Sequence, residues 1–194
     1  MLPEKIIFFA VTLNLIGHIF YIRSIIKGQA RPNLVSWVIW AIASFLGVFF
    51  ELKAGAGLSV LPIFIAAFGS SIISLAAILS KNALWKIKVF DIYCGALSVL
   101  ALVLYIYTHN LGISILFAIL SDLLAFVPTY VKAWKFPETE MWAPYLLPIF
   151  SNTVGLLIIK NWFFTIYSFG LYFVVANSIM IIILYRKKIT SIFS

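Results

Sequence analysis

The stretch SDLLAFVPTYVKAWK, residues 121–135, decides how the chain is read. It closes an apolar run, 111–133, that is long enough to span a bilayer, yet Asp122 sits in the middle of that run and Pro128 follows six residues later. An aspartate at the centre of a membrane helix costs about 2.5–3.5 kcal/mol on insertion scales. Such a residue is either hydrogen-bonded glue between helices or a group that meets a solute or a proton.

The rest of the chain shares the character of that run. Of its 194 residues 64% are hydrophobic and only 10% charged, and the mean hydropathy is +1.12. Soluble domains are nearer half apolar and a quarter charged, so the composition predicts an integral membrane protein. The net charge of +8 is not a nucleic-acid footprint. The lysines and arginines fall in short clusters between apolar runs, as in loops that face anionic headgroups. A single cysteine, Cys94, excludes an internal disulfide and a cysteine-based metal site, and no CxxC, HExxH or P-loop pattern is present. No cofactor and no metal is expected. The first apolar run, from Ile6, is long enough to span and has no small-x-small site after it, so it reads as a span and not as a cleaved signal.

A membrane helix needs about 20 mostly apolar residues. Breaks at KGQARP, ELKAGAG, SKNALWKIK, THN, KFPETE and KN leave seven spans, at 5–26, 33–52, 58–80, 89–108, 111–133, 142–160 and 162–185. The runs are too long and too uniformly apolar for barrel strands. The N-terminus and the even-numbered loops carry Lys5, Lys53 and Lys160, 3 basic residues; the other side carries 11, including Arg23, Lys27, Arg31, Lys81, Lys132, Lys135, Lys187 and Lys188. The basic side is expected to be cytoplasmic, with the N-terminus outside and the C-terminus inside.

Shifting the sequence by 108 residues lays spans one to three on spans five to seven. Asn14 falls on Asp122, Lys27 on Lys135, Ser44 on Asn152, Gly47 on Gly155 and Ser70 on Ser178. Span four is left over, and one extra crossing makes both triplets enter from the same side. The repeats are then parallel, with a site expected at their interface near the midplane. The expected division is a first three-helix bundle over 1–82, a linker helix over 83–110, and a second bundle with a short tail over 111–194.

This plan, together with Pro128-Thr129 followed by Lys132, the polar loop 137–140 and Pro144-Tyr145, resembles the SWEET and semiSWEET transporters of the PQ-loop family. The likeness covers nearly the whole chain in plan and is most specific over 122–155. Phe20 stands where the first triplet would carry its helix proline, and Pro32-Asn33 follows in the loop. The resemblance implies an all-α membrane fold in a 3+1+3 parallel-repeat arrangement, alternating access about a midplane site, and a sugar-like solute. It also implies that Pro128, Pro144 and Pro148 act as hinges or gates; a fixed kink needed for packing is the alternative.

The candidate substrate-binding residues are Asp122, Asn14, Asn152, Ser44, Asn177 and Trp40, and the candidate proton-coupling residues are Asp122 and His18. Burial in a dry site favours the neutral form of an acid, and histidine changes charge near neutrality. His18 lies one turn from Asn14 on the same helix face, and one satisfied interhelical hydrogen bond is the alternative role. Trp37, Trp40 and Trp142 open helices, where tryptophan anchors at headgroups; Trp40, one turn deeper, suits stacking on a ring. Lys132, Lys135, Glu138 and Glu140 are expected to form a solvated loop with weak ion pairs. Gly47 and Gly155 are expected at close helix contacts.

The function expected from these features is that of a small polar solute transporter in the cell membrane, multi-pass, working as a uniporter or proton-coupled carrier. The alternative is a non-transporting receptor or sensor of the same fold. An enzyme needs a convergent cluster, and Asp122, His18 and His109 are too few and too scattered. The expected partners are a small-molecule solute and membrane lipids, without nucleic acid; a homo-oligomer remains open.

Overall fold

The computed structural model describes residues 3–80, 85–107 and 110–193. Lys81 and His109 lie outside the described residues, as do the side chains of Lys187 and Lys188. Seven α-helices follow in order: α1 (Ile6–Ile26), α2 (Leu34–Lys53), α3 (Leu61–Leu79), α4 (Val89–Ile106), α5 (Leu111–Lys135), α6 (Ala143–Leu157) and α7 (Phe164–Phe193). Short 3-10 turns at Leu58–Val60 and Pro137–Thr139 precede α3 and α6. No strand occurs among the described residues. Helix is the expected answer for such apolar segments, because hydrocarbon offers a backbone no other partner.

Among the described residues five segments are long and apolar enough to cross a membrane: Ile6–Ile26, Leu34–Lys53, Leu58–Leu79, Leu111–Lys135 and Phe164–Arg186. The other two expected spans are shorter as helices. The span predicted at 142–160 is helical for 15 residues only, about 22 Å at 1.5 Å per residue, and α4 is helical for 18 residues, Val89–Ile106. The chain is thus a helical membrane protein, with five long apolar spans among the described residues, an 18-residue α4 and a 15-residue α6.

Local chemistry sets the ends. Gly28 and Gly55 take φ of +71° and +88°, a left-handed turn that glycine enters without Cβ strain. Their amides and those of the next residues fold back on the last carbonyls of α1 and α2: Gly28 on Ile25, Gln29 on Ser24, Gly55 on Leu52, Ala56 on Glu51. At the start of α5, the Asn110 side chain accepts from the amides of Gly112 and Ile113 at 2.9 and 3.2 Å, which satisfies two of the first turn's orphan donors. Asp91 accepts from the Lys88 amide at 2.7 Å and starts α4.

The helices pack in a definite order. α3 lies between α1 and α2, and α7 between α5 and α6. Across the middle, α1 faces α6 and α2 faces α5, while α4 lies against α5 and α2. Small residues let these helices approach, since lipid tails are as apolar as leucine and packing must hold the bundle. A Cβ on Gly47 would sit 2.8 Å from the Phe169 ring, and one on Gly155 would be 3.1 Å from the Ser59 carbonyl oxygen. On α4, a Gly95 Cβ would be 2.8 Å from Val35. Two glycines expected at close contacts, 47 and 155, are therefore found there.

The core has three parts. One, towards the C-terminal ends of α1, α5 and α7, is aromatic, built on Tyr21, Trp37, Trp40, Phe126 and Tyr145. A second joins α2, α3, α5 and α7 around Ile63, Phe169 and Phe173. A third joins α1 to α6 through Ile7, Ala10, Val154 and Ile158. Trp37, expected as a headgroup anchor, is instead 2% exposed and packed between Tyr21, Trp40 and Tyr145, with ring centroids 5.1, 4.9 and 6.3 Å away. The position of a tryptophan near a helix start does not distinguish an interface from a seam between two helical layers.

Candidate functional site

The junction of α1, α2, α3, α5, α6 and α7 encloses a cavity of about 20 Å³, room for about one water. Its walls are largely aromatic: Trp37 and Trp40 from α2, Phe126 from α5, Tyr145 from α6 and Phe173 from α7. Its polar groups are His18, Ser70 and Asn177, and no Asp, Glu, Lys or Arg lines it. Trp40 and Phe126 are in ring contact, with centroids 4.3 Å apart. The Trp37 indole N–H has no acceptor among the described residues.

His18 is held in one orientation. Its Nδ1 lies 2.9 Å from the Asn14 carbonyl oxygen. A carbonyl only accepts, so Nδ1 carries the proton in that contact and Nε2 of the neutral ring keeps its lone pair. The ring lies flat on α3 at Gly69, where an added Cβ would be 2.2 Å from Cδ2 and 2.4 Å from Nε2. The absence of a side chain at 69 is what admits the imidazole to the cavity wall. Asn177 is tied by its amide to the Phe173 carbonyl at 2.8 Å, and Ala66 of α3 with Pro144 and Pro148 of α6 completes the lining.

The residues singled out in the sequence divide into two groups. His18, Trp40, Asn177, Pro144 and Pro148 share the cavity. Asp122, Asn14, Ser44, Asn152 and Pro128 are buried beside it and are not among its lining residues. Asp122, expected to face the hollow, is fully buried and accepts a 2.7 Å hydrogen bond on Oδ2 from the Tyr172 hydroxyl of α7. Its backbone carbonyl accepts from the Trp40 indole at 3.2 Å, so the acid joins α5, α7 and the cavity wall. Its Oδ1 has no partner among the described residues. Asn14, the counterpart of Asp122, donates instead to Ser151 of α6 at 3.0 Å. Asn152 donates to the Pro148 carbonyl within its own helix at 2.9 Å. Pro128 lies inside α5, one residue from Thr129, whose hydroxyl donates to Ser36 of α2 at 2.9 Å.

Two features lie beyond the central cavity. At the end where α1 begins, a hollow of about 720 Å³ opens between the α2–α3 and α6–α7 turns, lined by Leu52, Leu58, Val60, Phe64, Lys160 and Ile166 among others. Glu4 pairs with Lys160 there at 2.6 Å. That hydrogen bond and charge raise the Lys160 ammonium above its ordinary range, and both side chains are exposed, so the pair adds little to stability. At the opposite end the structure corrects an expectation. Lys132 and Glu140 were expected in a solvated loop, but their side chains are 1% and 0% exposed and form an ion pair. The Tyr21 and Tyr145 hydroxyls both donate to Glu140 Oε2, at 2.8 and 2.9 Å, and Lys132 Nζ donates to the Arg31 carbonyl. A short loop rich in charge reads as solvated, and Lys135 and Glu138 are exposed as expected; the Lys132 and Glu140 side chains are withdrawn where the α1–α2 turn meets the loop, with the Arg31 amide donating to the Thr139 carbonyl at 3.0 Å.

Phe126, Tyr145, Tyr172, Tyr21 and Glu140 were not singled out in the sequence as site residues. A signal for two of them exists. At the same offset of 108 residues, His18 falls on Phe126, Trp37 on Tyr145 and Trp40 on Pro148, and all six line the cavity. No group of three or more metal-ligating side chains occurs among the described residues. No family model, curated protein or solved structure matches the chain.

Proposed function

We propose that this chain is a carrier for a small, uncharged polar solute, built as two parallel three-helix units, α1–α3 and α5–α7, with α4 as the link. One observation carries the proposal: three pairs of positions related by the 108-residue offset line one cavity, 18 with 126, 37 with 145 and 40 with 148. Packing supports the same relation. α1·α3 corresponds to α5·α7, α2·α3 to α6·α7, and α1·α6 to α5·α2. Arg31 and Thr139, another such pair, meet through their backbones at one end. The wide hollow at the other end contains the pairs Leu52 with Lys160 and Leu58 with Ile166.

An axis that runs through all three places favours alternating access: open at the end where α1 begins, narrow at the centre, closed at the other end. The charge bias of the loops favours a cytoplasmic closed end. Aromatic walls with a histidine lone pair, an indole N–H, a hydroxyl and an amide suit a neutral ring with hydroxyl or amide groups, a sugar-like solute among them. The central cavity holds about one water, so the two units must part before a solute enters. Asp122 then acts from behind the wall: a proton taken up there alters its bond to Tyr172 and the seat of Trp40.

Flux into proteoliposomes of a panel of neutral sugars, polyols and small amides, with and without a pH gradient, tests the reading. Saturable uptake of at least one solute is expected, with Trp40→Ala lowering it more than tenfold while the fold is kept. Asp122→Asn retains an acceptor for Tyr172, so uptake that no longer varies with pH is the expected result. Retained pH dependence in Asp122→Asn removes the proton role from Asp122. Binding of a panel member without flux favours the receptor alternative, and neither binding nor flux removes both.

A further inference from the structure

The carrier reading leaves Glu140 unused, and the network around it has an unusual composition. A carboxylate and an ammonium, both withdrawn from solvent, lie beside two tyrosine hydroxyls that share one carboxylate oxygen. A buried ion pair is weak evidence for stability, since desolvation offsets most of its attraction. Its better-attested use is to fix one of two arrangements.

The partners come from both three-helix units. Tyr21 is on α1 and the Arg31 carbonyl on the α1–α2 turn; Lys132, Glu140 and Tyr145 belong to α5, the α5–α6 turn and α6. Each bond from Tyr21 to Glu140 and from Lys132 to Arg31 therefore crosses the seam that rocking would open. Trp37 lies between this network and the cavity, touching Tyr21 and Tyr145 on one side and Trp40 on the other. The segment that precedes α4 lies across the same place. The Trp85 amide donates to the Pro32 carbonyl at 3.4 Å, its ring meets Phe136 at 5.5 Å, and Lys132 Nζ is 5.4 Å from the ring centroid.

We infer that Glu140 is the hub of a polar latch that shuts the C-terminal end of the seam, with Tyr21 and Lys132 as its crossing bonds and Trp85 strapped over it. The latch deepens the carrier reading and rests on it for its place on a solute path. Opening requires the Tyr21–Glu140 and Lys132–Arg31 bonds to break together with the Arg31–Thr139 backbone bond, while Lys132–Glu140 and Tyr145–Glu140 remain within the second unit. Those internal bonds keep both charges partnered in the open form, which makes the latch reversible. Hydrogen bonds to charged groups are among the stronger ones in proteins, so losing a crossing bond shifts the balance towards the open form by about tenfold.

The experiment reads accessibility and needs no solute. In a Cys94→Ala background, Ser70→Cys places one thiol in the central cavity wall. A membrane-impermeant maleimide is applied to the C-terminal side of vesicles of known orientation. Tyr21→Phe and Glu140→Gln are each expected to raise the labelling rate about tenfold over the parent. Tyr21→Phe removes one oxygen and keeps the ring packing, so it carries the test if Glu140→Gln does not fold. An unchanged rate in folded Tyr21→Phe overturns the latch, whatever the flux. A raised rate in a protein that carries no solute of the panel leaves the latch standing and removes the carrier reading.

Discussion

Gly69→Ala is expected to lower solute uptake more than tenfold while sparing most of the fold. The alanine Cβ would lie 2.2 Å from His18 Cδ2, 2.4 Å from Nε2 and 2.5 Å from Cγ, far inside contact distance. His18 cannot swing away cheaply. Its Nδ1 is bonded to Asn14, it is 3% exposed, and Gly17 beside it already lies within 3.0 Å of the Ala143 carbonyl oxygen by the position of its own absent Cβ. The ring must leave the cavity wall, or α1 and α3 must separate. Overpacking of this kind costs about 1–3 kcal/mol, which a folded bundle tolerates, whereas a binding wall displaced by an ångström does not work. Uptake more than tenfold below the parent is expected, with the melting temperature lowered by several degrees. Uptake at the parent level would show that His18 is not part of the solute-binding wall. Gly69→Ser tests the same space and is expected to behave alike, since the clash is with Cβ itself.

How far the site could be read from the sequence depended on which physical signal each residue left. Helix positions followed from uninterrupted hydropathy, because a backbone in lipid has only one way to satisfy itself over such lengths; α1 begins and ends within a residue of the expected 5–26. The short α6 was less visible. Its apolar run continues past Leu157, but the Ile158 and Ile159 amides already bond three residues back, to Gly155 and Leu156, and hydropathy does not register that tightening. Asp122 stood out because a carboxyl in an apolar run is costly. Cost alone does not say which neighbour satisfies it, and Tyr172, fifty residues away, looks like any other interfacial tyrosine. The cavity wall was the least legible part, since aromatic residues in an apolar helix serve packing and binding equally. The 108-residue offset held the missing information: applied to His18, Trp37 and Trp40, it leads to Phe126, Tyr145 and Pro148. Glu140 left a signal of the wrong sign, as a charged loop of four residues reads as solvated until the turn that covers it is known.

Lys132→Met is expected to be the most destabilising single change at the closed end, and its partner substitution is expected to rescue it. Removing the ammonium leaves the Glu140 carboxylate buried, with two tyrosine hydroxyls on one oxygen and no counter-charge. Breaking a buried pair from one side costs about 3–5 kcal/mol, because the remaining charge is left without compensation. In Lys132→Met/Glu140→Gln no charge remains, the amide oxygen still accepts from Tyr21 and Tyr145, and methionine fills the space of the lysine stem beneath Trp85. Replacing a whole buried pair is often neutral, so the double variant is expected within about 1–2 kcal/mol of the parent. Equilibrium unfolding in mixed micelles measures both, and the cycle yields the coupling between the two positions. The two readouts then separate stability from closure. Because the double variant keeps its fold but lacks the charged hub, it should melt nearly as the parent does and still label faster from the C-terminal side. A double variant as unstable as Lys132→Met alone would mean that the lysine acts through its packing against Trp85 and its bond to the Arg31 carbonyl, and that the charge on Glu140 is not what holds that end together.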